Sequence, residues 1–348
     1  MLKVAIRVDG GPKIGMGHIT RCLALAEELA NNDCNITFIT RNDISSITKI
    51  KEYGFDVNVI DIFTIDEEIN YITRIINQFD ILITDSYEID YNYLYAMKKT
   101  GVFLVLIDDL NEHDFPCDIV INGNIYAEDL NYKDVTGKTR FLLGPKYVLM
   151  RKEFRDLPKK QIKNKVENIL ITMGGSDPKG VTIKVLKALM SDRDLRILNI
   201  DVVIGPSFNK ELVTEINEFA KNNKNISTYY NVNATIMREL MIKADIAISA
   251  GGSTLYELAA AGVPTIAFVI ADNQIKNVNK WVSQNAMLRI NHINEIRNTI
   301  TKFSSDKNAR QKMSNMSCRL VDGLGTIRCT KEVIYYNKSK GNKKGELR

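Results

Sequence analysis

Val4-Ala5-Ile6-Arg7-Val8-Asp9, closing on glycines and followed by Ile14-Gly15-Met16-Gly17-His18-Ile19-Thr20-Arg21-Cys22, decides the fold. The first run is short and nearly continuously apolar, as a strand buried on both faces requires. The second opens a helical pattern that continues to about Leu29. Glycines at a strand-to-helix junction let backbone amides come close to a ligand. His18 falls in the first turn of the helix, and Arg21 lies three residues on, on the same side. A neutral imidazole beside such a backbone suits proton transfer on a phosphorylated substrate. Asp9 ends the strand, where it can orient the ring, bind substrate, or simply begin the turn at Gly10-Gly11.

Outward from this unit the same alternation repeats. Strands are expected at 35–40, 57–60, 81–85, 102–107, 119–122 and 141–143, with helices at 45–53, 67–77 and 91–99 between them. Arg151 to Val166 is charged, contains Pro158, and reads as a linker. A second alternation then has strands at 168–173, 200–204, 226–229, 246–249 and 265–269, with helices at 182–189, 210–221, 235–243 and 254–261. Apolar strands separated by helices imply parallel sheets covered on both faces. Residues 1–150 and 167–337 are therefore expected to form two Rossmann-like domains, with ligand bound in a cleft between their strand C-termini. Residues 338–348 carry Lys338, Lys340, Lys343, Lys344 and Arg348 against Glu346, the pattern of a solvated, disordered tail.

The composition excludes several classes. A chain of 348 residues is long for one core. Its net charge of +5 is too mild to suggest a nucleic-acid partner. The five cysteines, Cys22, Cys34, Cys117, Cys318 and Cys329, are scattered without C-x-x-C spacing, which fits a reduced, cytoplasmic setting and no zinc site. No run approaches the ~20 apolar residues of a membrane span, and Met1-Leu2-Lys3 enters a strand without a signal peptide. No Walker loop occurs, and Thr20 stands where a dinucleotide fingerprint wants Gly or Ala. No metal or other cofactor is expected. His113 and His292 lie in polar stretches and read as surface residues.

Two glycine turns in the second half also carry chemistry. Ser249-Ala250-Gly251-Gly252-Ser253-Thr254 joins a strand end to a helix start, where free amides and a dipole of about half an elementary charge favour phosphate. Glu257 lies one turn further on the same face, at a depth suited to ribose hydroxyls. Gly174-Gly175-Ser176-Asp177 ends another strand and adds amides for a diphosphate; read plainly, it is a helix start with Asp177 as cap and Pro178 at the first position. Asp272-Asn273-Gln274 follows a strand end with amides suited to sugar hydroxyls and N-acetyl groups. Asp85, Asp108 and Asp109 likewise sit at strand C-termini, where such sheets bind ligands.

Taken together these residues resemble the UDP-sugar hydrolases of pseudaminic acid biosynthesis, also called spore-coat polysaccharide biosynthesis-like proteins. The matching positions are Arg7-x-Asp9, Ile14 to Ile19 with Arg21-Cys22, Ile107-Asp108-Asp109 and Asn122-x-Asn124-x-Tyr126-Ala127. Leu143 to Tyr147, Leu149-Met150-Arg151 and Glu153-Phe154 continue the pattern. Met173 to Asp177, Ala250 to Thr254, Glu257 and Ala271 to Gln274 complete it. Leu255-Tyr256 departs from the Thr or Ser followed by Trp that many of these hydrolases carry. The stretch Gly251 to Gly262 also resembles the UDP-binding region of the lipid-II N-acetylglucosaminyltransferase, which implies an α/β GT-B fold. The resemblance implies metal-independent hydrolysis of UDP-2,4-diacetamido-2,4,6-trideoxy-β-L-altropyranose, with inversion and C–O cleavage; a monomer is expected. His18 would be the base. Asp9, Gly17, Arg21, Asn273 and Gln274 would face the sugar. Gly174, Gly175, Ser176, Gly251, Gly252, Ser253, Thr254 and Glu257 would hold UDP. A GT-B glycosyltransferase, a non-catalytic nucleotide-sugar binding module and an epimerase-like enzyme are the competing readings.

Overall fold

The computed structural model describes residues 1–11, 14–62, 64–112 and 114–345, with side chains to residue 339. His113 and residues 346–348 lie outside the described residues. The chain divides into two compact units, residues 1–151 with 324–348, and residues 152–323.

In unit 1 the elements are β1 (Leu2–Val8), α1 (Gly17–Ala30), β2 (Cys34–Arg41), α2 (Ile44–Glu52), β3 (Asp56–Ile60) and α3 (Ile65–Ile75). Then follow β4 (Ile81–Asp85), α4 (Tyr91–Lys99), β5 (Phe103–Ile107), β6 (Ile119–Asn122) and β7 (Arg140–Leu143). The strands form one sheet in the order β3-β2-β1-β4-β5-β6-β7. Every pairing is parallel. Its inner strands, such as β4 and β5, are buried along their whole length because helices cover both faces. Strand order reverses between β1 and β4, where Val8 is paired with Asp85. That reversal leaves a crevice at the strand C-termini of this sheet, the place where α/β sheets bind ligands.

Unit 2 contains β8 (Asn168–Thr172), α5 (Val181–Met190), β9 (Asn199–Ile204), α6 (Lys210–Lys221), β10 (Ile226–Tyr230) and α7 (Ala234–Lys243). Next come β11 (Ile246–Ala250), α8 (Thr254–Ala260), β12 (Thr265–Phe268), α9 (Ile275–Ser283), β13 (Leu288–Ile290), α10 (Ile296–Ser305) and α11 (Lys307–Leu320). Its parallel sheet has the order β10-β9-β8-β11-β12-β13. The reversal falls between β8 and β11, so the two glycine turns, at 174–175 and 251–252, flank this unit's own switch point.

Local chemistry sets the helix starts. Asp43, Asp90, Asn209 and Asn233 each accept a backbone N–H of the first turn, at 2.7 to 3.0 Å. Such caps are worth about 1 kcal/mol each. Ile19, Cys22, Leu23, Ala26 and Leu29 place a buried stripe along α1, at the three- and four-residue spacing a covered helix needs.

Three expectations are corrected. A continuous second domain over 167–337 gives way, because α12 (Gly325–Gly345) belongs to unit 1. Cys329 and Val333 of α12 are fully buried in the same core as α1, and Thr326 Oγ1 bridges the Met150 N–H and C=O at 2.9 and 2.8 Å. The helix also runs to Gly345, so residues 338–345 are helical rather than a disordered tail. Separately, Asp177 does cap a helix, accepting from Val181 and Thr182 N–H at 2.9 and 2.7 Å, but the helix begins at Val181 and not at Pro178.

Candidate functional site

In unit 1 the chemistry gathers where β1 and β4 end. His18, in the first turn of α1, is 7% exposed. Its Nδ1 lies 2.6 Å from Asp85 Oδ1. Arg21, one turn on, donates Nε and Nη2 to the two oxygens of Asp85, both at 2.6 Å. Its Nη1 donates to Asp109 at 2.9 Å. Burial opposes ionisation of Asp85, but the Arg21 guanidinium and the His18 hydrogen bond overcome it and hold the carboxyl well below the usual range. An ionised carboxylate only accepts hydrogen bonds. The hydrogen between them therefore sits on His18 Nδ1, with Arg21 Nη2 also 3.1 Å from that nitrogen; in the neutral ring this leaves the lone pair on Nε2. This fixes the tautomer a general base needs.

The cluster extends over the segments that follow β4, β5 and β6. Tyr87 stands edge-on to the His18 ring, with centroids 4.7 Å apart, and its hydroxyl donates to Asp109 Oδ2 at 2.9 Å. Asn124 Nδ2 donates to Asp109 Oδ1 at 2.6 Å. Burial, then the charge of Asp109, pushes the Tyr126 hydroxyl up to about 12. Gly15 and Gly17 face open space, where an added Cβ would meet nothing within 4 Å. Gly15 also adopts φ +85°, a left-handed conformation that favours glycine.

Among the described residues Asp9 makes no hydrogen bond or ion pair with His18, so it does not orient the ring. It accepts from the Arg41 N–H at 2.9 Å and pairs with Arg7 Nη1 at 2.7 Å. Arg7 in turn makes a two-pronged pair with Glu68 at 2.6 and 2.8 Å. Burial pushes the Asp9 carboxyl up, yet Arg7 and Arg41 bring it below its ordinary value. Asp9 is thus the anchor of a buried ion network, and Asp85 is the residue that orients His18. Its position at a strand end was visible in the sequence; its pairing with His18 and Arg21 of α1 was not.

In unit 2 the Gly251 N–H is already used, donating to Phe268 C=O at 3.0 Å and Gln274 Oε1 at 3.2 Å. Gly251 is needed for packing, because a Cβ there would lie 2.4 Å from Val278 Cγ2. The amides of Gly252, Ser253 and Thr254 have no partner among the described residues. A Cβ on Gly252 would meet nothing within 4 Å. Open amides thus begin one residue later than the glycine pattern implied. Glu257 is half-buried on the same helix, α8. Gly174 has φ +77°, and Gly175 and Ser176 are exposed beside it.

Gln274 is tied to the glycine turn. Its Oε1 accepts from Ile270 N–H at 3.0 Å as well as from Gly251, so it braces the glycine turn. Asn273 is exposed. Sequence reading missed Asn277, which donates to Gly251 C=O at 2.8 Å and accepts from the Tyr256 hydroxyl at 2.9 Å. No periodic or motif signal marks Asn277.

Two parallel α/β sheets, each with its polar cluster at the switch point, define a GT-B protein. Structures with this fold include Acinetobacter baumannii MurG, at TM-score 0.70 and 15% identity over 96% of this chain and 100% of that one. S. aureus MnaA bound to UDP follows at TM-score 0.67 and 12% identity over 97% of both. Residues 168–324 match the glycosyltransferase family 28 C-terminal domain. The chain belongs to the family of the spore coat polysaccharide biosynthesis protein SpsG of Bacillus subtilis, with 31% identity over 94% of this chain and 97% of that protein. It is 34% identical over 79% of its length to an uncharacterized Methanocaldococcus jannaschii protein, of which it spans 57%. It is also 28% identical, over 66% of this chain and 78% of its relative, to the UDP-2,4-diacetamido-2,4,6-trideoxy-beta-L-altropyranose hydrolase of Campylobacter jejuni. Among the described residues no helix is long and apolar enough to cross a membrane.

Proposed function

We propose that this protein hydrolyses a UDP-sugar, UDP-2,4-diacetamido-2,4,6-trideoxy-β-L-altropyranose, to UDP and 2,4-diacetamido-2,4,6-trideoxy-L-altrose. The observation that carries the reading is the Asp85–His18 pair, which leaves Nε2 free as a base. Support also comes from the likeness to the Campylobacter jejuni hydrolase. In this reading the water oxygen bonds to C1 as the C1–O bond to UDP breaks, inverting the anomeric centre. One water proton passes to His18 Nε2, and the bonding pair leaves with the β-phosphate oxygen. Base assistance of this kind is worth roughly 10²–10⁴-fold. Unit 2 takes the nucleotide: the open amides at 252–254 receive the diphosphate, with Gly174, Gly175 and Ser176 beside them, and Glu257 takes the ribose. Arg21 and Gly17 lie on the sugar side with His18, and Asn273 completes the sugar contacts.

The second reading is a glycosyltransferase with a sugar acceptor in place of water. The match of residues 168–324 to a glycosyltransferase domain favours it. Incubation with the UDP-sugar alone separates the two. UDP release without acceptor, with ¹⁸O from labelled water on the sugar, is the expected result. UDP release that waits for an added acceptor would overturn the hydrolase reading.

A further inference from the structure

We propose that unit 2 carries a second binding site, for a single-chain anionic amphiphile such as an alkyl phosphate, in the pocket between the α9–β13 turn and the helix pair α10–α11. The site is independent of the UDP-sugar reading. Its volume is about 860 Å³, within the 300–1,000 Å³ typical of small-molecule sites. The floor is apolar: Met287, Leu288, Phe303, Met313 and Met316 line it. Three methionines among five residues give a surface that adapts to a flexible chain.

The walls are fixed from behind. Arg310 is fully buried and donates to the carbonyls of Phe303 and Ser304, both at 3.1 Å, which locks the α10–α11 corner. Ser317 Oγ donates to Ala286 C=O at 2.8 Å and ties α11 to the α9–β13 turn. A pocket held this way exists before its ligand arrives, which lowers the ordering cost of binding.

The rim supplies the charge selectivity. Neither α10 nor α11 contains an Asp or Glu. Lys302, Lys312 and Arg319 line the pocket, and their side chains have no ion pair or hydrogen bond among the described residues. The one acidic rim residue, Asp306, is occupied as the N-cap of α11, accepting from the Ala309 N–H at 2.9 Å. An apolar floor under three cations and a single carboxylate, a rim of net positive charge, matches a ligand with a hydrocarbon chain and an anionic head, and mismatches both a neutral lipid and a bare anion.

Isothermal titration of the full chain with octyl, decyl and dodecyl phosphate, below their micelle concentrations, tests this. The expected result is saturable one-to-one binding that tightens with chain length, by at most about fourfold per CH₂. Dodecanol and inorganic phosphate are expected to bind at least tenfold more weakly. A Lys312→Glu, Arg319→Glu chain, whose changes are on the surface, is expected to keep its thermal midpoint and lose tenfold or more in affinity. Equal binding of dodecanol, or unchanged affinity in the charge-reversed chain, overturns the site. So does recruitment to anionic vesicles without any saturable binding of the monomeric amphiphile, which would mark a membrane-facing surface instead.

Discussion

At the residue scale, the proposed mechanism rests on two side chains that the sequence separates by 67 positions, His18 and Asp85. His18→Asn keeps a polar group of similar size and removes the proposed base. Turnover is expected to fall by roughly 10²–10⁴-fold, while UDP affinity, measured by titration, stays unchanged. Full turnover in that variant would remove His18 from the mechanism. Asp85→Asn tests a different property, because an amide side chain both donates and accepts and no longer dictates where the imidazole hydrogen sits. Turnover should fall by about 10²-fold. The same change leaves Arg21 with Asp109 alone, at an expected cost of roughly 2–4 kcal/mol at pH 7. The pH dependence has a definite sign. The folded-state value for Asp85 lies below the unfolded value near 4. Its contribution is therefore present above that pH and is lost as pH falls through the folded value. Acid unfolding curves of the Asp85→Asn variant should be flatter below about pH 4 than those of the parent.

At the element scale, the strand-to-helix turns are legible in sequence because glycine has a local cause there, but their division of labour is not. Gly251 and Gly252 look equivalent in the sequence and differ in what surrounds them. Gly251→Ala drives a methyl into Val278 and Gln274, at 2.4 and 2.9 Å. It should destabilise unit 2 by about 1–3 kcal/mol. Gly252→Ala meets nothing, so the thermal midpoint should hold while UDP affinity drops about tenfold or more, some 1.4 kcal/mol, from a methyl placed where phosphate is proposed. A Gly252→Ala chain that binds UDP normally would move the diphosphate elsewhere. The same contrast explains what sequence could read of the elements. β5 is a continuous apolar run and β4 opens on one, Ile81-Leu82-Ile83, so both declare themselves. β13 has three residues, Leu288–Ile290, too few to show a period. Helix α11 is strongly polar, and its buried face is completed by Arg310 and Ser317, which no hydrophobic pattern reveals.

At the scale of the whole molecule, the organisation least visible in sequence is the return of α12 to unit 1, since sequence order alone assigns a C-terminal helix to the domain it follows. Val333→Asp puts an unpaired carboxylate into the α1 core. It should lower unit 1 stability by several kcal/mol, read as lost hydrogen-exchange protection in α1 and β1 with unit 2 protection retained. The two units should also differ in their response to alkali. Lys160, in unit 2, is mostly buried and donates to the carbonyls of Met241 and Ile242 at 3.2 and 2.6 Å. Burial pushes its ammonium down to about 8. An unfolded lysine titrates near 10.4. Between those values the unfolded chain holds a proton that the folded chain has released, so unit 2 should gain stability as pH rises from about 8 towards 10.5. The gain should be on the order of 2 kcal/mol. Lys160→Met leaves nothing to titrate and should flatten this rise. Denaturant unfolding from about pH 7.5 to about pH 10.5 spans both values and measures the slope. An equal slope in the Lys160→Met variant would assign the alkaline gain to another group.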